Sequence, residues 1–280
     1  MEETDMNQTE LLKKFTNHLR TEEKSRATIE KYTHDVRVFL QFCEEKSITK
    51  ELVLQYKEWL LKRYAPSSVN SMLVALNCYF VFIGKSHCRV KQVKIQRQIF
   101  ARQEKDLTRE EYQKLLYVAG NSRIALIMQT ICGTGIRISE LSAITVEAVY
   151  SGKTIIHCKS KLRVVFIPLH IQLLLKHYIR KQNIKKGPVF ITRTGKPIDR
   201  SNIWKAMKAL GKKAGIAEEK IFPHNLRHLF AKTFYSVEKD IVQLADLLGH
   251  SSINTTRIYT MDNGQQHLRS LEKVSQLLIT

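Results

Sequence analysis

One stretch of this 280-residue chain departs from an otherwise helical pattern, and it narrows the choice of fold. Between Thr154 and Pro168 two short runs, Thr154-Ile155-Ile156-His157 and Val164-Val165-Phe166-Ile167, are β-branched or aromatic. A basic stretch, Cys158-Lys159-Ser160-Lys161-Leu162-Arg163, joins them. Such runs predict a β-hairpin or meander with a basic tip. Elsewhere the apolar spacing is three and four, the mark of helices with one buried face. The expectation is a mainly α fold with a small β-sheet: an N-terminal helical bundle, then a mixed α+β domain. With 43% hydrophobic residues, the chain can bury such cores without disulfides or metals.

The first domain is expected over residues 1–86. Ile29, Tyr32, Val36, Phe39, Leu40 and Cys43 lie on one helical face, and Leu52, Tyr56, Trp59 and Leu60 continue the style to Tyr64. Pro66 then breaks the chain, and Ser67 or Ser68 can cap the next helix, which carries Val69, Leu73, Leu76, Phe80 and Ile83 and ends at Gly84. Residues 87–106 lack a helical period and carry Arg89, Lys91, Lys94, Arg97 and Arg102 with no acid until Glu104, so they read as a basic interdomain linker. The second domain, 107–280, opens on a capping box, Thr108-x-x-Glu111. Its predicted helices include Arg137 to Ile144, Ser201 to Ala214, Asn225 to Phe234, Asp240 to Leu248, Ile253 to Tyr259, and a C-terminal one from Gln265 bearing Leu268, Leu271, Val274 and Leu277. Trp59 and Trp204 read as core residues of their helices.

Lys plus Arg is 46 and Asp plus Glu is 26, a formal charge of 46 − 26 = +20. So basic a surface attracts polyanions, nucleic acid first among them. A membrane partner is disfavoured: no stretch nears the roughly 20 apolar residues of a bilayer span, and no basic amphipathic helix with exposed aromatics stands out. Met1 to Leu12 opens acidic, without a signal peptide's apolar run. The five cysteines, Cys43, Cys78, Cys88, Cys132 and Cys158, include no C-x-x-C pair, which argues against a disulfide framework or zinc site. Cys43, Cys78 and Cys132 read as small buried hydrophobes.

Three segments carry chemistry: Gly135-Ile136-Arg137-Ile138-Ser139-Glu140-Leu141, His224-Asn225-Leu226-Arg227-His228, and Leu248-Gly249-His250 followed by Tyr259. His224 and Arg227 are three apart at a helix start and share a face. Gly249 can adopt the left-handed conformation that ends a helix, which puts His250 on the turn beyond. Tyr259 lies on the next helix, within reach. Two arginines and two histidines near a tyrosine make an oxyanion clamp beside a nucleophile. Taken singly, each residue has an ordinary reading as a surface charge, a helix cap or a half-buried phenol, and His228 and His157 read as structural.

Together the segments resemble the tyrosine recombinases, or phage-type integrases. That family's catalytic domain carries an arginine with a following acid, then H-x-x-R, L-G-H and a tyrosine. These fall here on Arg137 with Glu140, His224 with Arg227, Leu248-Gly249-His250, and Tyr259, in order and with similar spacing. The size resembles two-domain Xer-like members, and the run His224 to Ala231 is similar to mobile-element integrases of Gram-positive bacteria. The resemblance implies a core-binding, SAM-like N-terminal bundle. Its hairpin lysine matches Lys159 best, with Lys161 as the fallback; the usual glycine is replaced by Cys158, and an aspartate common after the histidine is Asn225.

The resemblance further implies a site-specific recombinase that cuts and rejoins DNA through a 3′-phosphotyrosine and a Holliday junction, for a mobile element or for dimer or cointegrate resolution. Arg137, Lys159, His224, Arg227, His250 and Tyr259 would be catalytic, with Lys159 protonating the departing 5′-oxygen and Glu140 orienting a basic neighbour. No metal, ATP or other cofactor is expected, since guanidiniums supply the charge. The implied partners are a double-stranded DNA core site, a homotetramer on DNA with the C-terminal helix docked in trans, and accessory DNA-bending or directionality proteins. The implied setting is a bacterial cytoplasm, at the nucleoid. A topoisomerase of the same chemistry and a DNA-binding regulator without catalysis stay open as alternatives.

Overall fold

A computed structural model describes residues 8–44, 46–95, 106–158, 161–250, 252–260 and 275–276. The chain divides into two compact units, Met1–Arg97 and Gln98–Thr280.

Among the described residues the first unit contains α1 (Gln8–Thr21), α2 (Arg26–Cys43), α3 (Lys50–Leu61) and α4 (Pro66–Phe82), followed by a 3₁₀ turn (Ser86–Cys88). Ser25 and Thr49 cap α2 and α3 through their hydroxyls. The expected serine cap on α4 does not form. Pro66 itself is the first helical residue and no side chain caps the turn, because proline's fixed φ suits that position and it has no N–H to satisfy. The core is rich in aromatics. Phe39 lies edge-on to Tyr56 at 5.1 Å and to Phe80 at 5.5 Å, and Phe15 packs on Tyr79 at 5.2 Å. Trp59 borders this core, with the Arg63 guanidinium 4.2 Å over its ring. Cys43 and Cys88 are buried, while Cys78 is half-buried.

The start of the basic stretch is held against this unit. Asn77 donates to the Val90 carbonyl (2.9 Å) and accepts from its N–H (3.0 Å). Seven residues earlier on α4, Asn70 does the same with Val93, at 2.9 and 2.7 Å. Each amide side chain thus replaces a neighbouring strand, so this extended backbone keeps its hydrogen bonds without a sheet.

The second unit contains α5 (Arg109–Ala119), α6 (Arg123–Thr134), a 3₁₀ turn (Ile138–Ala143), α7 (Val146–Ser151), α8 (Leu169–Lys181), α9 (Arg200–Lys213), α10 (Pro223–Glu238), α11 (Ile241–Leu248) and α12 (Ile253–Thr260). The Thr108–Glu111 capping box forms as the sequence predicts. Helix α6, buried at Leu126, Ile127, Met128 and Ile131, packs against α5, α8, α9 and α10. Its partly buried Cys132 has its thiol pushed up to about 12 by burial, so it stays protonated. The predicted helix from Arg137 to Ile144 is instead the 3₁₀ turn. Arg137 is extended (φ −74°, ψ 146°) with its N–H donating to the Glu140 carboxylate at 3.0 Å, and the backbone closes by i→i+3 bonds, Glu140 N–H to the Arg137 carbonyl at 2.9 Å and Ile144 N–H to the Leu141 carbonyl at 3.1 Å. Trp204 is not core: it is 43% exposed, beside the buried Ile203 and Met207 of α9, with the Lys208 ammonium 5.3 Å from its ring.

Among the described residues the sheet is an antiparallel hairpin, β1 (Lys153–Cys158) with β2 (Lys161–Phe166), paired from Lys153↔Phe166 to Cys158↔Lys161. The strands are longer than the two apolar runs, because Leu162 and Arg163 join β2 rather than the tip. Ile156, Arg163 and Val165 face inward and are buried, whereas Ile155, Leu162, Val164 and Phe166 are exposed. Lys159 and the segment 261–274, which holds most of the predicted C-terminal helix, lie outside the described residues, as do the side chains of His157 and Lys161.

Candidate active site

Two left-handed glycines set the frame. Gly135 ends α6 at φ 63°, and a Cβ there would sit 2.6 Å from the Phe230 ring of α10. Gly249 ends α11 at φ 64°; its N–H and that of His250 bond back to Asp246 and Ala245, each at 3.0 Å, a Schellman-type closure. This brings His250 over α10, and α12 then returns to pack on α10 and α11.

Arg227, on α10, is 2% exposed. Its guanidinium donates to the carbonyls of Gly135 and, at 2.6 Å, Leu248. It also reaches His250 Nε2 at 3.2 Å. Arg137 donates to Glu140 at 2.8 Å, and the same carboxylate takes a hydrogen bond from Arg163 of β2. Arg163 also donates to the Leu247 and Leu248 carbonyls at 3.1 and 2.6 Å. Two guanidiniums therefore share the Glu140 carboxylate, and Arg163 also shares the Leu248 carbonyl with Arg227, which leaves an excess of positive charge around one acid. Burial, then Arg137 and Arg163, push the Arg227 guanidinium down to about 10, which leaves it cationic at neutral pH.

Tyr259 is buried against Ala231, Leu244 and Leu248. Its ring stacks on His250 (centroids 5.9 Å) and meets the edge of His228 at 4.6 Å. His228 in turn meets His224 at 4.7 Å. Burial, then the arginines, hold His250 down to about 4, and the same causes lower His224. Burial, then His224, bring His228 to about 4, with Asp106 opposing from 3.8 Å. All three imidazoles are thus neutral near pH 7. A neutral imidazole facing cationic arginines can accept a proton, and buried guanidiniums can hold a phosphate in a fork. Among the described residues no three His, Cys, Asp or Glu side chains converge as a metal ion would need.

Of the six residues the sequence singles out, Arg137, His224, Arg227, His250 and Tyr259 come together here. Lys159 lies outside the described residues. Two further neighbours are His228, which the sequence reading takes as structural, and Arg163, which it assigns to the basic stretch between the strands. His228 could have been found from its i, i+4 spacing to His224. Arg163 shares the inward face of β2 with Val165, so strand alternation alone makes a charged residue point into the core.

Comparison with known proteins matches residues 105–266 to the Phage integrase family and residues 11–85 to the phage integrase N-terminal SAM-like domain. Tyrosine recombinase XerA of Pyrococcus furiosus is 32% identical over 280 residues, covering 96% of this chain and 95% of that protein. A crystal structure of XerA recombinase aligns at 26% identity and TM-score 0.52, covering 97% of this chain and 98% of that one. XerH site-specific recombinase bound to its difH substrate, in a pre-cleavage complex, has the same fold at TM-score 0.68 and 20% identity, covering 97% of this chain and 85% of that one.

Proposed function

This chain belongs to the phage integrase family of tyrosine recombinases, and from that premise we propose that it cuts and rejoins duplex DNA at a specific core site through Tyr259. The observation that carries the reading is the stacking of the Tyr259 ring on His250, whose Nε2 touches the buried Arg227. In this reading Arg137 and Arg227 fork the scissile phosphate and neutralise the charge that grows as a fifth oxygen approaches phosphorus. His224 takes the phenol's proton: it is a neutral imidazole, a competent base, one ring removed from Tyr259 through His228. Tyr259 oxygen bonds to phosphorus, and the bond to the 5′-oxygen breaks. Lys159 gives that oxygen its proton, with Lys161 as the alternative donor. Rejoining is the reverse with a new 5′-hydroxyl, so bond energy is kept in the phosphotyrosine and no nucleotide is consumed. Glu140 and Arg163 orient the arginine pair.

The DNA partner is supported by the net charge of +20 and by the relatives' recombinase activity. We further propose a homotetramer on DNA exchanging strands through a Holliday junction, with the C-terminal helix docked in trans and accessory DNA-bending or directionality proteins as partners. Two domains with a basic linker between them, acting in the cytoplasm at the nucleoid, complete the reading. No described helix is long and apolar enough to cross a membrane. Service to a mobile element and dimer or cointegrate resolution are both compatible with this chemistry.

The test is a nicked duplex bearing the site found by footprinting the DNA that flanks the gene. The nicked fragment diffuses away after attack and strands the covalent intermediate. Wild-type protein should accumulate a protein–DNA adduct, and Tyr259→Phe should bind the same duplex without forming one. An adduct that survives Tyr259→Phe assigns the nucleophile elsewhere.

A further inference from the structure

Thr256 is fully buried on α12, three residues before Tyr259 and so on the same helical face. Its Oγ1 lies 2.9 Å from His250 Nδ1, and the other ring nitrogen, Nε2, lies 3.2 Å from Arg227 Nη2. A guanidinium only donates, so Nε2 must accept. The proton of the neutral ring therefore sits on Nδ1 and is donated to the threonine hydroxyl. In this state His250 offers its lone pair to Arg227 and has no N–H to offer a phosphate oxygen.

A phosphate beside Arg227 reverses the demand, since Nε2 must then donate. For a neutral ring, Nδ1 becomes the acceptor and needs a donor on its other side. A carboxylate could not provide one, and a backbone amide could not have accepted earlier; a hydroxyl does both by rotating its hydrogen. We propose that Thr256 is a positioning residue: its hydroxyl ties His250 to the helix that carries Tyr259 and switches from acceptor to donor when phosphate enters. Nδ1 loses its proton to water and Nε2 gains one from water, so the ring stays neutral throughout. The switch links the state of the phosphate pocket to the placement of the nucleophile. This inference rests on the proposed recombinase reading for its consequence, but the tautomer change can be observed without it.

Two experiments test it. With the protein's histidines labelled with ¹⁵N, the His250 ring should show the Nδ1–H tautomer in the free protein and the Nε2–H tautomer with inorganic phosphate. In single-turnover cleavage of the nicked duplex, Thr256→Val should keep its DNA affinity but slow adduct formation about 10- to 100-fold, as removal of an orienting partner does elsewhere. Thr256→Ser, which keeps the hydroxyl, should restore the rate. A free protein with the proton on Nε2 overturns the inference, as does a Thr256→Val protein that cleaves at the wild-type rate. If Thr256→Val fails to fold, the wild-type spectrum alone decides. A tautomer change in a protein that never forms an adduct would refute the recombinase reading and leave the switch standing.

Discussion

Replacing Gly249 by alanine is a sharp test of how the cluster is held. Two penalties coincide at this residue. Its φ of 64° is left-handed, which costs a Cβ-bearing residue about 1–2 kcal/mol. A Cβ would also lie 2.4 Å from Cδ and 3.2 Å from Nε of Arg163, so the stem must retreat by roughly 1 Å to reach ordinary contact. The stem cannot retreat freely, because its guanidinium is fastened to Glu140 and to the Leu247 and Leu248 carbonyls. Both partners of the ion pair are buried, at 6% and 9% side-chain exposure. Breaking a buried pair costs about 3–5 kcal/mol, because it leaves charge without compensation. Gly215 is the control, with φ 67° and nothing within 4 Å of its would-be Cβ, so Gly215→Ala bears the backbone cost alone. Gly249→Ala should therefore unfold earlier than Gly215→Ala by about 3 kcal/mol, or about 6–12 °C in a unit of this size. Calorimetry of both variants measures the gap, and adduct formation by Gly249→Ala should fall with it. Equal melting temperatures would refute the claim that Arg163 is locked against the α11 terminus.

Acid should weaken the fold through the same pocket. His228 and His250 are held down to about 4 and His224 is lowered too, against about 6.5 in an unfolded chain. Between those values the unfolded chain binds protons that the folded one refuses, so the free energy of unfolding declines as pH falls from about 6.5 to about 4. It should be level in this respect at higher pH, and a His228→Gln/His250→Gln variant should lose much of that slope; an unchanged slope would place the cause elsewhere. DNA affinity should drop by about 10³–10⁵ between roughly 50 and 200 mM salt if six to ten phosphates are contacted. A flat salt dependence would remove DNA phosphate as the main contact.

Much of this was legible locally. Periods of three and four placed the helices, β-branched runs placed the hairpin, and Thr108 with Glu111 marked where the second unit opens. Gly249 announced its own left-handed turn, and the spacing of His224 and Arg227 put both on one face. These are short-range properties, decided by backbone geometry within a turn or two of chain. Only the tertiary structure decided which distant groups meet. Arg163 and Arg227 share the Leu248 carbonyl, at 2.6 Å each, although they are 64 positions apart. His228 rests on Tyr259, and Asn70 and Asn77 hold a segment that looked like free linker. Periodicity can mark the face on which His228 or Arg163 lies but not the partner it meets, because a buried polar group is satisfied by whatever donor or acceptor the packing of other elements delivers to it.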